Sequence, residues 1–94
     1  MSVMHALRAG DRIELVVNTG TIRYEVETDI EHVDRDHTGA VTVWTPDQGT
    51  LVFDRKCRAS FRRIEAPEAK SGFFWQLTVP SKGLIVNIFP SEEL

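Results

Sequence analysis

The chain has 94 residues and a formal net charge of −3, and 41% of its residues are hydrophobic while 27% are charged. This composition is that of a globular protein and excludes a disordered or fibrous chain. A chain of this length is expected to form a single domain that spans residues 1–94. A single cysteine excludes an internal disulfide framework and favours a cytoplasmic location, and no run of about 18 apolar residues predicts a membrane span.

The segment from Asp11 to Asp34 predicts the hairpin on which the fold depends. Before it, Met1 to Ala9 predicts either a short helical turn that ends at Gly10 or a strap. Two runs of alternating apolar and polar residues then flank Asn18-Thr19-Gly20, which is typical of a tight hairpin turn. We expect the first strand to place Ile13, Leu15 and Val17 inward, and the second to place Ile22, Tyr24, Val26, Thr28 and Ile30 inward with Glu25, Glu27, Asp29 and Glu31 outward. The second run is long, so we expect it to bend near Ile30.

The middle of the chain predicts three more strands. Ala40 to Thr45 places Trp44 opposite Val41 and Val43, Thr50 to Asp54 is short, and the fifth strand runs from about Cys57 to Ile64 with Cys57 inward. The turn between the second and third strands holds a cluster of histidines and carboxylates: His32, Asp34, Asp36 and His37. We interpret it as a solvated Asx-type turn, because the calcium-loop pattern fails at Thr45, where a Glu is needed. We expect no metal and no cofactor.

A second hairpin, about residues 71–90, follows the loop from Glu65 to Gly72. Its strands, Phe73 to Val79 and Leu84 to Phe89, are apolar on both faces, and such strands are usually buried on both. The hairpin therefore either packs across the end of a barrel or buries one face in another subunit. We favour the subunit interface, and the candidate interface residues of this hairpin are Phe74, Trp75, Ile85 and Phe89.

The stretches LRAGDRIELVVNTGTIRYEV and TLVFDRKCRASFRRIE resemble the small SH3-like barrels, and among them the Sm-like proteins. The resemblance implies a five-stranded SH3-like barrel over about residues 7–65. Together with the second hairpin, the expected fold is all-β: this barrel with an additional C-terminal β-hairpin. Sm-like proteins bind uridine through an Asn and an Arg-Gly pair. This chain has no Asn in the corresponding turn and has Arg63 after Arg62, so the resemblance implies the barrel and not that RNA site.

The strongest candidate for a binding site in the sequence is a cluster of five cations within nine residues: Arg55, Lys56, Arg58, Arg62 and Arg63. One interpretation is a patch for phosphates or for an acidic protein. The other is an edge strand that charge protects from aggregation. The acidic row of Glu25, Glu27 and Asp29 could complement the cations between copies of the chain.

No spacing of nucleophile and base predicts catalysis, so we do not expect an enzyme. The favoured hypothesis is a non-catalytic binding module: a homodimer or higher homo-oligomer, of the accessory or regulatory kind carried by phages and bacteria, that binds another protein. One alternative is nucleic-acid binding through Arg55 to Arg63, with Trp44 or Trp75 stacking on bases. A second alternative is a small anionic ligand or nucleotide at a subunit interface.

Overall fold

The computed structural model describes residues 7–90, so the helical turn predicted for residues 1–9 lies largely outside the described part. Within that range the chain forms short strands and two 3₁₀ helices. The strands are β1 (Arg12–Asn18), β2 (Arg23–Asp29), β3 (His32–Arg35), β4 (Val41–Trp44), β5 (Thr50–Phe53), β6 (Ser60–Glu65), β7 (Phe73–Val79) and β8 (Leu84–Phe89). The 3₁₀ helices are Arg55–Cys57 and Pro80–Lys82, and no helix in the described range is long and apolar enough to cross a membrane.

The all-β prediction is confirmed, but the strands form two antiparallel sheets rather than a closed five-stranded barrel. The larger sheet has the order β2-β1-β8-β7-β6 and the smaller one β3-β4-β5. The C-terminal hairpin is therefore not an addition to a finished barrel. Its strand β8 lies at the centre of the larger sheet, between β1 and β7. Because β8 has a neighbouring strand on each edge, side chains of β1 and β7 lie beside Ile85 and Phe89 and leave them only partly exposed.

The two sheets share one hydrophobic core. The alternation predicted for β1, β4, β5 and β8 is confirmed, because the most buried residues of each strand lie on its inward side, although the outward Asn87 of β8 is also buried. Across the core, the Thr28 hydroxyl of β2 donates a hydrogen bond of 2.6 Å to Asp47 in the turn between β4 and β5. The core residues are Leu7, Ile13, Leu15, Ile30, Val41, Val43, Phe53, Cys57, Leu77, Val79, Leu84, Val86 and Ile88.

The first hairpin forms as predicted, with β1 and β2 paired from Arg12 with Asp29 to Asn18 with Arg23. Its turn packs against the turn that precedes β8. The backbone N–H of Asn18 donates to the carbonyl oxygen of Gly83 at 2.7 Å, and Gly83 has a φ of 57°. Glycine suits this position because it adopts positive φ without strain and leaves room for the close approach of Asn18.

The long second strand is divided at its predicted bend into β2 and β3. Two backbone hydrogen bonds of 2.8 Å hold the bend, from Gly10 to Ile30 and from Ile30 to Asp11. The core face predicted for this strand is wrong at its start, where Ile22 is 57% exposed and Tyr24 is 47% exposed. Because β2 is the edge strand of the larger sheet, this end has a neighbour on one side only.

The fifth predicted strand begins later than expected. Residues 55–57 form a 3₁₀ helix in which the Asp54 carboxylate accepts a hydrogen bond from the backbone N–H of Lys56. Arg58 follows in the left-handed region with a φ of 48°, and β6 starts only at Ser60. Cys57 is buried as predicted, although in the 3₁₀ helix rather than in a strand. The residues before Ser60 are therefore not part of a strand, and the alternation from Cys57 to Phe61 does not describe two faces of a sheet there.

Candidate interaction surface

The larger sheet has an inner face on the core and an outer face directed away from it. Apart from the buried Asn87, the residues on the outer face of β8 and β7 remain partly exposed even though both strands lie inside the sheet. The strand registers arrange the outward side chains in three rows that cross the sheet. The middle row is Glu27, Glu14, Asn87, Gln76 and Arg62. One flanking row is Asp29, Arg12, Phe89, Phe74 and Ile64, and the other is Glu25, Val16, Ile85, Thr78 and Ser60.

Four members of the middle row, Glu14, Asn87, Gln76 and Arg62, form a connected chain of hydrogen bonds over four strands, which we call the polar row. Arg62 Nε donates to Gln76 Oε1 at 3.3 Å, and Gln76 Nε2 donates to Asn87 Oδ1 at 3.2 Å. Asn87 Nδ2 in turn donates to Glu14 Oε1 at 2.8 Å. Arg62 at one end of the row is exposed, whereas Asn87 near its middle is only 9% exposed. A polar group this buried needs such partners, because an unpaired one costs about 1–3 kcal/mol.

Apolar side chains lie on both sides of the polar row. On one side the rings of Phe74 and Phe89 pack together with centroids 5.2 Å apart, next to Ile64. On the other side Val16 pairs with Ile85. These five side chains are only partly exposed. They give the centre of the outer face the mixture of apolar contacts and satisfied polar groups that is typical of protein interfaces.

Two hollows lie on this face. One, of about 340 Å³, is bounded by Val16, Ile85, Pro80 and Arg23 at the end near the β7–β8 turn. The other, of about 360 Å³, lies along β6 and β7 beside Arg62. Both are shallow depressions into which side chains of a partner could insert. Their sizes are at the small end of the range for ligand pockets.

The β2 end of the outer face is acidic. Arg12 donates to Glu27 at 2.8 Å and to Asp29 at 3.3 Å, so two of the carboxylates share one guanidinium. The hydrogen bond and charge of Glu27 raise the pKa of Arg12. These groups are solvent-exposed, so the ion pairs contribute little to stability. Glu25, Glu27 and Asp29 thus lie together on one face, as predicted.

The candidate basic patch is divided by the fold. Arg55, Lys56 and Arg58 belong to the 3₁₀ helix and its end, before β6 begins. Arg62 lies on the outer face, whereas Arg63 lies on the other face, where its guanidinium is 3.9 Å from the centre of the Phe73 ring and 2.7 Å from Glu65. Since β6 pairs only with β7, it is an edge strand of the sheet.

A third hollow, of about 380 Å³, lies where the two 3₁₀ helices approach each other, and it is the described site closest in character to the predicted anion pocket. Lys56 and Lys82 both line it. Asp54 lines it as well, and a carboxylate opposes anion binding there. Binding of nucleic acid or of an anionic ligand stays a prediction.

The two tryptophans lie on different sheets: Trp75 of β7 pairs with Arg63 of β6, whereas Trp44 belongs to β4 of the smaller sheet. Trp75 lies on the inner face, with its ring 4.8 Å from that of Phe61. It therefore does not share a face with Phe74, although both were predicted as interface residues. Trp44 is on the outward side of the smaller sheet, where it stacks on His32 at 5.1 Å. It pairs with Thr50 at the start of β5, about 10 Å from the β5 end that leads to Arg55.

The cluster of histidines and carboxylates forms a turn around Asp36. Asp36 Oδ1 accepts hydrogen bonds from the backbone N–H groups of Thr38 at 2.8 Å and Ala40 at 3.1 Å, and from the Thr38 hydroxyl. These bonds lower the pKa of Asp36, with the Thr38 hydroxyl as the largest cause. This is the predicted Asx-type turn. Within residues 7–90, no group of three or more His, Cys, Asp or Glu residues is placed to hold a metal ion.

Comparison with known proteins adds no relative. Family models, curated proteins and solved structures were each searched, and none matches the chain. The resemblance to SH3-like and Sm-like barrels therefore stays a prediction, and the outer face carries the functional interpretation.

Proposed function

We propose that this protein is a non-catalytic binding module that docks other protein chains on the outer face of its larger sheet. We further propose that it is an accessory or regulatory protein of the cytoplasm, like those of phages and bacteria, which assembles with copies of itself and binds a larger partner. The observation that supports this is the outer face itself. Its central strand, β8, places Ile85 and Phe89 on the outer side, and the described core covers only the inner side.

The chemistry of the outer face suits a protein partner better than a nucleic acid. Phosphate recognition requires several cations on one surface, but Arg62 is the one cation that β6 and β7 place among the outward side chains. The aromatic and aliphatic pairs around Phe89 and Ile85 instead match the apolar centre of a protein interface. The polar row adds donors and acceptors with fixed directions, which favour specificity.

Affinity capture with outer-face variants tests this function. We expect the wild-type chain to retain specific proteins from an extract of its native source, and Ile85→Lys to lose them, because a lysine at the centre of the face cannot be buried without an acidic partner. Circular dichroism checks that the variant is folded.

Val52→Lys is the matched control. Val52 is 46% exposed but lies on β5 of the smaller sheet, so its replacement should leave capture unchanged. Equal capture by the wild-type chain and folded Ile85→Lys would contradict docking on the outer face.

A further inference from the structure

We infer that a second copy of this chain docks on the outer face, related to the first by a twofold axis that runs parallel to β8. The inference rests on the proposed function, because it uses the same face. It goes further by naming the partner and the arrangement of the two sheets. The evidence is the distribution of charge along the rows, which makes the outer face complementary to itself in one orientation and not in the other.

Charge on the outer face changes sign from one edge to the other. The outward positions of β2 and β1 hold four carboxylates, Glu25, Glu27, Asp29 and Glu14, and two guanidiniums, Arg12 and Arg23, which gives −2. The outward positions of β7 and β6 hold Arg62 and otherwise neutral residues, which gives +1. Between these ends lies β8, with Ile85, Asn87 and Phe89. The face is therefore acidic at β2, basic at β6 and mostly apolar in the middle.

Two twofold arrangements can bring identical sheets face to face. An axis across the strands would lay each β2 on the β2 of the other copy, so that carboxylates would face carboxylates. An axis along the strands exchanges the edges, so that β2 of each copy lies on β6 of the other. Like charges across an interface are costly, whereas opposite charges fix orientation. The charge distribution thus selects the axis parallel to β8.

In this orientation each row meets the reversed row of the second copy. Glu27 faces Arg62 of the second copy, and Asn87 at the centre faces its own equivalent. In the flanking rows, Phe89 faces Phe89 and Ile85 faces Ile85. The apolar residues of β8 are thereby buried against each other and each edge gains one opposite-charge pair, Glu27 with Arg62, which is the self-complementarity that a twofold interface requires.

The size of the face is sufficient for a weak dimer. Five strands about 4.8 Å apart and six residues at about 3.3 Å each give a flat area of roughly 24 by 20 Å. Two such faces bury on the order of 1,000 Å², at the lower limit for specific protein interfaces. We therefore expect a dimer that dissociates in the micromolar range rather than a permanent one.

A charge exchange tests this geometry by sedimentation equilibrium over roughly 10 to 300 µM chain. The wild-type chain should show a reversible monomer–dimer equilibrium. Arg62→Glu alone and Glu27→Arg alone should each raise the dissociation constant by about tenfold or more, because each homodimer then contains two like-charge pairs. Both positions are exposed, so both variants should fold.

Mixing the two variants restores opposite charges at both ends of the interface. At one end the introduced glutamate of the Arg62→Glu chain faces the introduced arginine of the Glu27→Arg chain, and at the other end the unchanged Glu27 faces the unchanged Arg62. The mixture should therefore form a heterodimer about as tight as the wild-type dimer. Arg55→Glu is the control, because it replaces the same positive charge by the same negative charge as Arg62→Glu, but in the 3₁₀ helix. It should leave association unchanged.

Two results would overturn the dimer: failure of the mixture to recover, or a wild-type chain that stays monomeric over the whole concentration range. A monomeric chain that still loses its captured partner through Ile85→Lys would overturn the dimer and leave the binding function standing.

Discussion

At the scale of single residues, the chain uses small polar groups to hold its turns. Asp36 binds the hydroxyl of Thr38 and two backbone N–H groups, and Asn18 accepts a hydrogen bond from the backbone N–H of Gly20. Such local hydrogen bonds are strongly encoded in sequence, because they depend on residues only two to four positions apart. This locality explains why the turns could be predicted.

The Asp36 turn gives a pH prediction. Because the folded pKa of Asp36 is lowered from its ordinary value of 3.8, the turn stabilises the fold above that value and loses its contribution as pH falls through the folded pKa. We expect Thr38→Val to raise the pKa of Asp36 by removing the largest cause of the shift. An NMR titration of the side-chain carboxyl carbon measures this. Thr50→Val, on the smaller sheet, should leave the Asp36 titration unchanged, and an unmoved pKa in Thr38→Val would contradict the assignment.

The close approach at Gly83 gives a stability prediction. A Cβ at Gly83 would collide with the backbone carbonyl of Asn18, whereas a Cβ at Gly20 would meet nothing within 4 Å. Both glycines have positive φ, so the pair separates collision from conformational strain. We expect Gly83→Ala to lower the free energy of unfolding by about 2–4 kcal/mol and Gly20→Ala by about 1 kcal/mol. Urea denaturation measures both, and equal losses would show that strain alone matters.

At the scale of elements, the polar row ties β1, β8, β7 and β6 together through side chains. We expect Asn87→Ala to lower the free energy of unfolding by about 1–2 kcal/mol, because it leaves Glu14 and Gln76 without their shared partner. A double-mutant cycle with Gln76→Ala should give a coupling energy of about 0.5–1.5 kcal/mol.

The control cycle combines Asn87→Ala with Thr50→Ala, since Thr50 belongs to the other sheet. Its coupling should lie within about 0.5 kcal/mol of zero. Equal coupling in both cycles would mean that the polar row does not act as a connected unit.

The strands themselves were predictable where the alternation of apolar and polar residues is regular. The inward residues of β1, β4, β5 and β8 follow from the sequence, because successive side chains of a strand point to opposite faces whichever strand lies beside it. The exposure of Ile22 and Tyr24 could not be predicted in this way. Alternation assigns a side chain to a face, but only the order of strands in the sheet decides whether that end is covered.

At the scale of the whole molecule, the sheet order was the step that sequence reasoning missed. Strands adjacent in sequence were assumed to close a barrel, whereas β1 pairs with β8. Long-range pairing leaves no local pattern, because it depends on how the pieces share one core. One signal was available: Asn87 is the single polar residue of β8, and a buried polar residue needs partners. Its partners are Gln76 of β7 and Glu14 of β1, so it also marks the pairing of β1 with β8.

The separation of the cations follows from the same sheet order. In sequence they form one cluster, but a 3₁₀ helix and the alternation of β6 send them in different directions. Only Arg62 reaches the outer face, opposite the acidic edge at β2. The interaction surface is therefore defined by position across the sheet, and not by the density of charge along the chain.

The central position of β8 also governs the order in which the fold can be completed. Hairpins β1–β2, β6–β7 and β7–β8 join strands that are neighbours in sequence, but the contact between β1 and β8 links residues such as Glu14 and Asn87, which are 73 positions apart. The chain loses conformational entropy when so large a loop closes, and this loss comes before the stabilising contacts form. Folds with such long-range pairing therefore form slowly. A nascent chain would expose the edge of β1 on the ribosome until β8 emerges, so its synthesis is the step at which protection from aggregation matters most.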